Sequence, residues 1–203
     1  MLNVDEGSLL VKHARRTIES HLLGEEAPHP ITQDPHLLER RGVFVTLLRA
    51  DGRELRSCIG APYPDGPLLA KLSHVAVEAA TEDPRFNPVS LSEFRDRIIV
   101  EVTVLTPPEV VKADKPLDYR DRIQVGRDGI IVEGIGFKGL LLPQVAVEEG
   151  FDSEEFLSQC CLKAGLLPDA WLSERLQVFR FQGQIFFEER PGGQVSEKSL
   201  STA

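Results

Sequence analysis

Apolar residues recur at helical spacing near the start of the chain. Residues four positions apart share one face of a helix, and here they are Leu10, Ala14, Ile18 and Leu22. The pattern predicts a helix over residues 5–23, which ends where Gly24 supplies a C-terminal stop. Similar spacing predicts further helices over residues 68–81 and 152–164.

Short β-rich segments separated by glycine-containing turns predict hairpins. The turns are Asp51-Gly52, Asp128-Gly129 and Gln182-Gly183. At the first turn, a two-residue loop would pair Ala50 with Arg53 and place Val45 opposite Cys58. Hairpins outnumber strand–helix–strand crossovers, so the sequence predicts an α+β fold with a mainly antiparallel sheet flanked by helices. The predicted strands cover residues 43–50, 53–59, 97–106, 123–125, 130–132, 139–142, 178–181 and 184–188.

Composition and charge limit the classes of protein that fit. The chain has 203 residues, which suits one large domain or two small subdomains. Its 23 basic and 32 acidic residues give a formal net charge of −9, which argues against nucleic-acid binding through bulk positive charge. Three cysteines, two of them adjacent, predict no disulfide framework and therefore a reducing, cytoplasmic location. The longest uncharged apolar stretch, residues 139–147, is too short to cross a bilayer.

Motifs for cofactors and metals are weak. The segment Gly134-Ile-Gly136-Phe-Lys-Gly139 has the glycine spacing of a dinucleotide-binding loop, but a strand is predicted after it where a helix would be needed. The five histidines show no metal-ligand spacing. The sequence therefore predicts neither a cofactor nor a metal site. From residue 190 onward there is little to bury, which predicts a disordered tail over residues 190–203.

Cys58 is the leading candidate for chemistry. Arg56 lies two residues away on the same predicted strand face, and a nearby guanidinium favours the nucleophilic thiolate. Glu101 and Thr103 share a face of an otherwise apolar strand, and Glu101 could act as an acid or base if that face closes a cleft. Arg85, in the loop after a predicted helix, could bind an anion. Simpler interpretations stay open: a buried cysteine that only packs, and a strand with one wet face.

Four blocks, in order along the chain, resemble the AMMECR-one domain family. They are Leu55-Arg56-Ser57-Cys58-Ile59-Gly60, Asp83-Pro84-Arg85-Phe86, Leu140-Leu141-Leu142-Pro143-Gln144-Val145 and Lys163-Ala164-Gly165-Leu166. The resemblance covers roughly residues 9–189, nearly the whole chain. It departs from the family at Ser57, where the family has glycine, and a side chain there could obstruct a ligand.

The resemblance implies a single domain of two intertwined α+β subdomains over residues 5–189, with the signature residues near their junction. It implies no settled reaction. Family genes that stand beside those of a Memo-like protein and a radical SAM protein indicate these two proteins as partners. The blocks also contain Gln144 and Lys163, which join Arg56, Arg85 and Thr103 as candidate substrate-binding residues.

Three functions are compatible with these features. The first is a cytosolic thiol-dependent enzyme or enzyme partner, with a cleft lined by Arg56, Cys58, Arg85 and Glu101 in which Cys58 and Glu101 are catalytic. The second is a non-catalytic module that docks a Memo-like or radical SAM partner. The third is a nucleic-acid-associated housekeeping factor, which the net charge of −9 disfavours.

Overall fold

The computed structural model describes residues 1–28, 32, 34–134 and 136–198. In chain order the elements are α1 (Val4–Leu23), α2 (Pro35–Leu38), β1 (Val43–Arg49), β2 (Leu55–Ala61), α3 (Leu68–Thr81), α4 (Leu91–Arg97), β3 (Ile98–Leu105), β4 (Glu109–Val110), α5 (Tyr119–Arg122), β5 (Gly129–Gly134), β6 (Phe137–Leu141), α6 (Pro143–Glu149), α7 (Ser153–Lys163), β7 (Gln177–Phe181), β8 (Gly183–Glu188) and β9 (Val195–Lys198). Short 3₁₀ helices cover Pro116–Asp118 and Ala170–Leu172. The predicted α+β class is confirmed.

The chain forms two compact units. The first consists of residues 1–105 and 184–198 and holds a five-stranded sheet in the order β2-β1-β3-β8-β9. The second begins at Thr106, runs to Gly183, and holds a four-stranded sheet in the order β4-β7-β5-β6. None of the helices among the described residues is both long enough and apolar enough to cross a membrane.

Helix α1 forms where the spacing predicts it. The Asn3 side chain accepts a hydrogen bond from the Glu6 backbone N–H, and the Glu6 carboxylate accepts one from the Asn3 N–H. This capping box satisfies two backbone donors that the first helical turn leaves free. At the other end Gly24 takes the left-handed conformation with φ +72°, which glycine adopts without strain.

One face of the five-stranded sheet packs against α1 and α3. Alternate residues of each strand point to this side, so every second side chain along a strand contributes to the core. The residues of β1 and β3 that belong to this core are Val43, Val45, Leu47, Ile98, Val100, Val102 and Val104. The other alternate residues therefore form the opposite face, which we call the outer face; its central polar members are Thr46, Cys58 and Glu101.

The second unit has its own core. Helix α7 lies against β5 and β6. Close approach depends on Gly139, since a Cβ there would lie 2.5 Å from the Cys160 carbonyl oxygen. The buried residues of this core are Val111, Ile123, Ile130, Val132, Leu141, Ala146, Phe156, Leu157, Cys160, Cys161, Trp171, Leu176 and Val178.

The first hairpin has a different register from the predicted one. Its loop spans four residues rather than two, because the Arg49 N–H donates to the carbonyl of Glu54 and the Arg53 N–H to that of Arg49. A β-bulge then leaves Arg56 without a partner on β1. The predicted pair of Val45 and Cys58 is therefore wrong.

Two other hairpins and the tail also differ from the predictions. Ile123–Val125 form no strand; β5 pairs with β6 and β7 instead. Strands β7 and β8, predicted to pair across Gln182-Gly183, belong to different sheets. The predicted tail disorder is wrong for residues 190–198, because β9 pairs with β8. Residues 199–203 lie outside the described part of the chain.

Candidate functional site

A row of three polar side chains crosses the outer face. Thr46 on β1 stands directly opposite Cys58 on β2 and, on its other side, opposite Glu101 on β3. The Thr46 hydroxyl donates to the Cys58 sulfur over 3.2 Å. Two strand spacings, roughly 10 Å, separate the backbones that carry the thiol and the carboxylate. Thr46 therefore lies between the two residues that the sequence nominates for chemistry.

The backbone of Cys58 is held by the loop that follows α3. Its N–H donates to Asp83 Oδ2 over 3.0 Å, and its carbonyl accepts from Arg85 Nη2 over 3.2 Å. Strand β2 is the edge strand of its sheet, so Asp83 and Arg85 take the place of a neighbouring strand at this point. The first two family blocks are thus joined by direct hydrogen bonds.

Asp83 is almost fully buried and collects hydrogen bonds from several donors. Besides Cys58 it accepts from the Arg85 backbone and from both Arg85 Nε and Nη2, at 3.0, 3.0 and 2.8 Å. Burial alone would raise the pKa of Asp83, but the hydrogen bonds, above all those from the Arg85 side chain, have the larger effect and hold it far below its usual range. The carboxylate stays charged and fixes the guanidinium, about half of which is exposed.

Ser57 points to the side of the sheet opposite Cys58. Its hydroxyl donates to the Ala79 carbonyl at the end of α3 and lies 3.2 Å from Asp83 Oδ2. The side chain is buried, with 1% of its surface exposed. The serine side chain therefore occupies the core side of β2, away from the Cys58 thiol.

Arg56 and Arg85 line a common cavity of about 440 Å³. Arg56 is buried, donates to Glu93 Oε1 over 2.7 Å and to the Asn87 carbonyl over 2.9 Å. The Phe86 ring centroid lies 5.8 Å from the Arg56 guanidinium and 5.5 Å from that of Arg85. The lining is completed by Arg49, Leu55, Phe86, Asn87 and Glu93, and does not include Cys58 or Glu101.

The thiol of Cys58 is not activated at rest. Burial raises its pKa, the hydrogen bond from Thr46 and the charge of Arg85 oppose this, and the charges of Glu101 and Asp83 add to it. The cation that acts on this sulfur is thus Arg85, rather than the predicted Arg56. Sequence reasoning missed Thr46, which the correct strand register would have revealed.

Glu101 carries the second group of the row whose pKa is shifted. Burial raises the pKa of its carboxyl, against the opposing charges of Lys198 and Arg53. Its side chain makes no hydrogen bond or ion pair with the part of the chain that the structure describes. A half-buried, unpartnered carboxyl with a raised pKa is suited to exchange a proton.

The remaining nominated residues lie on separate elements. Thr103 is buried on β3, opposite Phe44 and two residues from Glu101. Gln144 lies on α6 and Lys163 ends α7, both in the second unit. Cys160, one turn before Lys163, is buried, and burial raises its pKa to about 12, so that thiol is inert at neutral pH.

Comparison with known proteins decides the family. The AMMECR1 family model matches residues 11–186. This chain belongs to the AMMECR1 family. Protein MJ0810 of Methanocaldococcus jannaschii is 49% identical over 201 residues, which cover 98% of each chain. Protein PYRAB00100 of Pyrococcus abyssi is 50% identical over 198 residues, or 96% of each chain. The AMMECR1 resemblance drawn from the four blocks is confirmed.

A solved structure has the same fold as this chain. The crystal structure of the uncharacterized protein PH0010 from Pyrococcus horikoshii matches with a TM-score of 0.84 and 47% sequence identity. The match covers 97% of this chain and 98% of that one. The α+β architecture described above is thus that of an AMMECR1 protein.

Proposed function

We propose that this AMMECR1 protein is an enzyme, or the catalytic partner of one, that performs thiol-dependent chemistry on an anionic small molecule. Cys58 is the reacting group and Glu101 takes its proton through Thr46. Arg85 holds the anionic group of the substrate. The observation that carries the proposal is the row Cys58–Thr46–Glu101, which places two groups with raised pKa on either side of one hydroxyl.

The pKa shifts of Cys58 and Glu101 suit the transfer of a proton from the thiol to the carboxylate. The thiol needs a base, because burial keeps it protonated at neutral pH. Glu101 is a better base than an ordinary glutamate, since burial raises its pKa. Directly paired residues on adjacent antiparallel strands have Cβ atoms about 5 Å apart, so the Thr46 hydroxyl can reach both neighbours. In the structure the Thr46 hydroxyl donates to the Cys58 sulfur and makes no bond to Glu101, so the relay requires the hydroxyl to turn. Once turned, it accepts the thiol proton while giving its own to the carboxylate.

The anionic character of the substrate follows from the residues next to Cys58. Arg85 is bonded to the Cys58 carbonyl, and about half of its side chain is exposed beside the 440 Å³ cavity. Arg49 lines the same cavity, whereas Arg56 is committed to Glu93. A guanidinium that a buried carboxylate already orients loses little freedom when it binds a carboxylate or phosphate.

The test uses Cys58 as its own reporter. Anionic metabolites are screened one at a time for their ability to slow alkylation of Cys58 in the wild-type protein and in Arg85→Lys. Arg95→Lys is the matched control, because Arg95 is equally exposed and is paired with Glu19 on α1. We expect at least one anion to protect the thiol in the wild type and in Arg95→Lys, and to protect it several-fold less in Arg85→Lys.

If no anion protects Cys58, or if Arg85→Lys is protected as well as Arg95→Lys, the anion-binding role fails. Once a ligand is found, its conversion is followed with Glu101→Gln. Undiminished turnover in that variant, or in Cys58→Ala, would remove the catalytic roles.

A second candidate function rests on a different observation. Asp83 and Arg85 bind the backbone of Cys58, and Arg56 binds Glu93, so the family blocks also serve to join β2 to the segment after α3. This supports a non-catalytic module, for which we retain the Memo-like and radical SAM proteins as proposed partners. In that case Cys58→Ala lowers the melting temperature and leaves partner binding intact, measured with each purified partner.

A further inference from the structure

Three metal-ligating side chains meet at the start of the chain, apart from the Cys58 row. Glu6 lies in the first turn of α1, Asp34 precedes α2, and His36 lies within α2. One ligand atom from each residue can be chosen so that all lie within 4.8 Å of one another. We propose that Glu6, Asp34 and His36 bind a divalent metal ion of the zinc class, which ties α2 to the start of α1.

The ligand atoms of the three side chains already lie close together. Glu6 Oε1 lies 2.7 Å from His36 Nδ1, so an imidazole nitrogen and a carboxylate oxygen already face each other. Ligands of one tetrahedral zinc ion lie about 3.3–3.6 Å apart, given bonds of about 2.0–2.2 Å. Small side-chain rotations therefore bring the three atoms onto one ion. A site with three protein ligands keeps a fourth position for water.

The charges of Glu6 and Asp34 favour a cation between them. Two carboxylates this close repel each other unless a cation or a proton lies between them. Among the described residues, His36 is the only basic side chain that forms an ion pair with either one. Glu6 is mostly buried, with 8% of its side chain exposed, so solvent screens its charge poorly. A divalent cation would neutralise both carboxylates at once.

The side chains are held in place before any metal binds. The Asn3 N–H fixes Glu6 Oε2 over 2.6 Å, and the His36 N–H fixes Asp34 Oδ1 over 3.0 Å. Each carboxylate oxygen keeps a further lone pair for an ion. Mixed nitrogen and oxygen donors suit zinc better than magnesium or calcium, which prefer oxygen alone.

The test measures zinc binding to the full chain after chelator treatment, by titration calorimetry and by the shift in melting temperature. The variants are His36→Gln and, as the matched control, His74→Gln. His74 is an exposed histidine 3.1 Å from a single carboxylate, that of Glu78, so it has the same chemistry without the second acid. Asp34→Asn, which retains an oxygen for the bond from the His36 N–H, is the second variant.

We expect wild type and His74→Gln to bind one zinc ion and to melt at a higher temperature with zinc than without. His36→Gln and Asp34→Asn should bind it roughly tenfold or more weakly. Equal zinc affinity in His36→Gln and wild type would overturn the proposal. This holds also if the zinc is then bound at Cys58. So would wild-type protein whose melting temperature does not respond to zinc.

Discussion

The hydrogen bond from Thr46 to the Cys58 sulfur should be visible in the reactivity of the thiol. Substitution of Thr46 by valine keeps the shape of the side chain and removes only the donor. Because that donor stabilises the thiolate, its loss raises the pKa of Cys58 further. A hydrogen bond of about 1 kcal/mol corresponds to roughly a fivefold smaller thiolate fraction near neutral pH. Thr46→Val should therefore react with iodoacetamide roughly five times more slowly than wild type at pH about 7.5.

The assay follows modification of Cys58 by peptide mass spectrometry over a pH series. Cys160 and Cys161 have no exposed surface and supply the internal background. Thr46→Ser keeps the hydroxyl and should react at nearly the wild-type rate. Glu101→Gln removes a charge that raises the thiol pKa, so it should react faster. The curves should converge at high pH, where every variant is fully thiolate. An unchanged neutral-pH rate in Thr46→Val would refute the geometry of the row.

Three further predictions concern stability. Ser57→Gly should cost about 1 kcal/mol in urea unfolding and leave Cys58 alkylation unchanged, since the hydroxyl bonds lie on the core side of β2; a gain in stability would contradict this. Asp83→Asn should cost about 2–3 kcal/mol at neutral pH; because folding lowers the pKa of Asp83, the difference from wild type should shrink as pH falls below about 4, and a difference that persists in acid would contradict the assignment. Glu188→Gln should cost about 3 kcal/mol by thermal or denaturant melts, because the buried Glu188 accepts bonds from Arg15 and the Val100 N–H, and a loss below about 1 kcal/mol would be inconsistent with them.

Local signals predicted the elements that depend on local interactions. The spacing of Leu10, Ala14 and Ile18 predicted α1, and Gly24 its end, because both the buried face and the cap lie within a few residues. Strand β3 was predicted from the alternation of residues between its two faces. The four family blocks predicted the fold class and the family, since their order samples nearly the whole chain.

Features that depend on distant partners could not be predicted. The bulge at Arg56 shifts the register by one residue, and it accompanies an ion pair with Glu93, 37 residues away. That shift brings Thr46, rather than Val45, beside Cys58. Residues 195–198 form a strand only because β8 offers them an edge. Composition alone makes the same segment look like a tail.

The divided layout of the first unit imposes an order on its assembly as the chain leaves the ribosome. Residues 1–105 emerge first, but the strands that complete their sheet, β8 and β9, follow residues 106–183. At about 5–20 residues per second, β3 waits roughly 4–16 s for its neighbour. During that interval Arg15 has no Glu188 carboxylate to pair with, and the edge of β3 keeps unpaired backbone N–H and C=O groups that could pair with another chain.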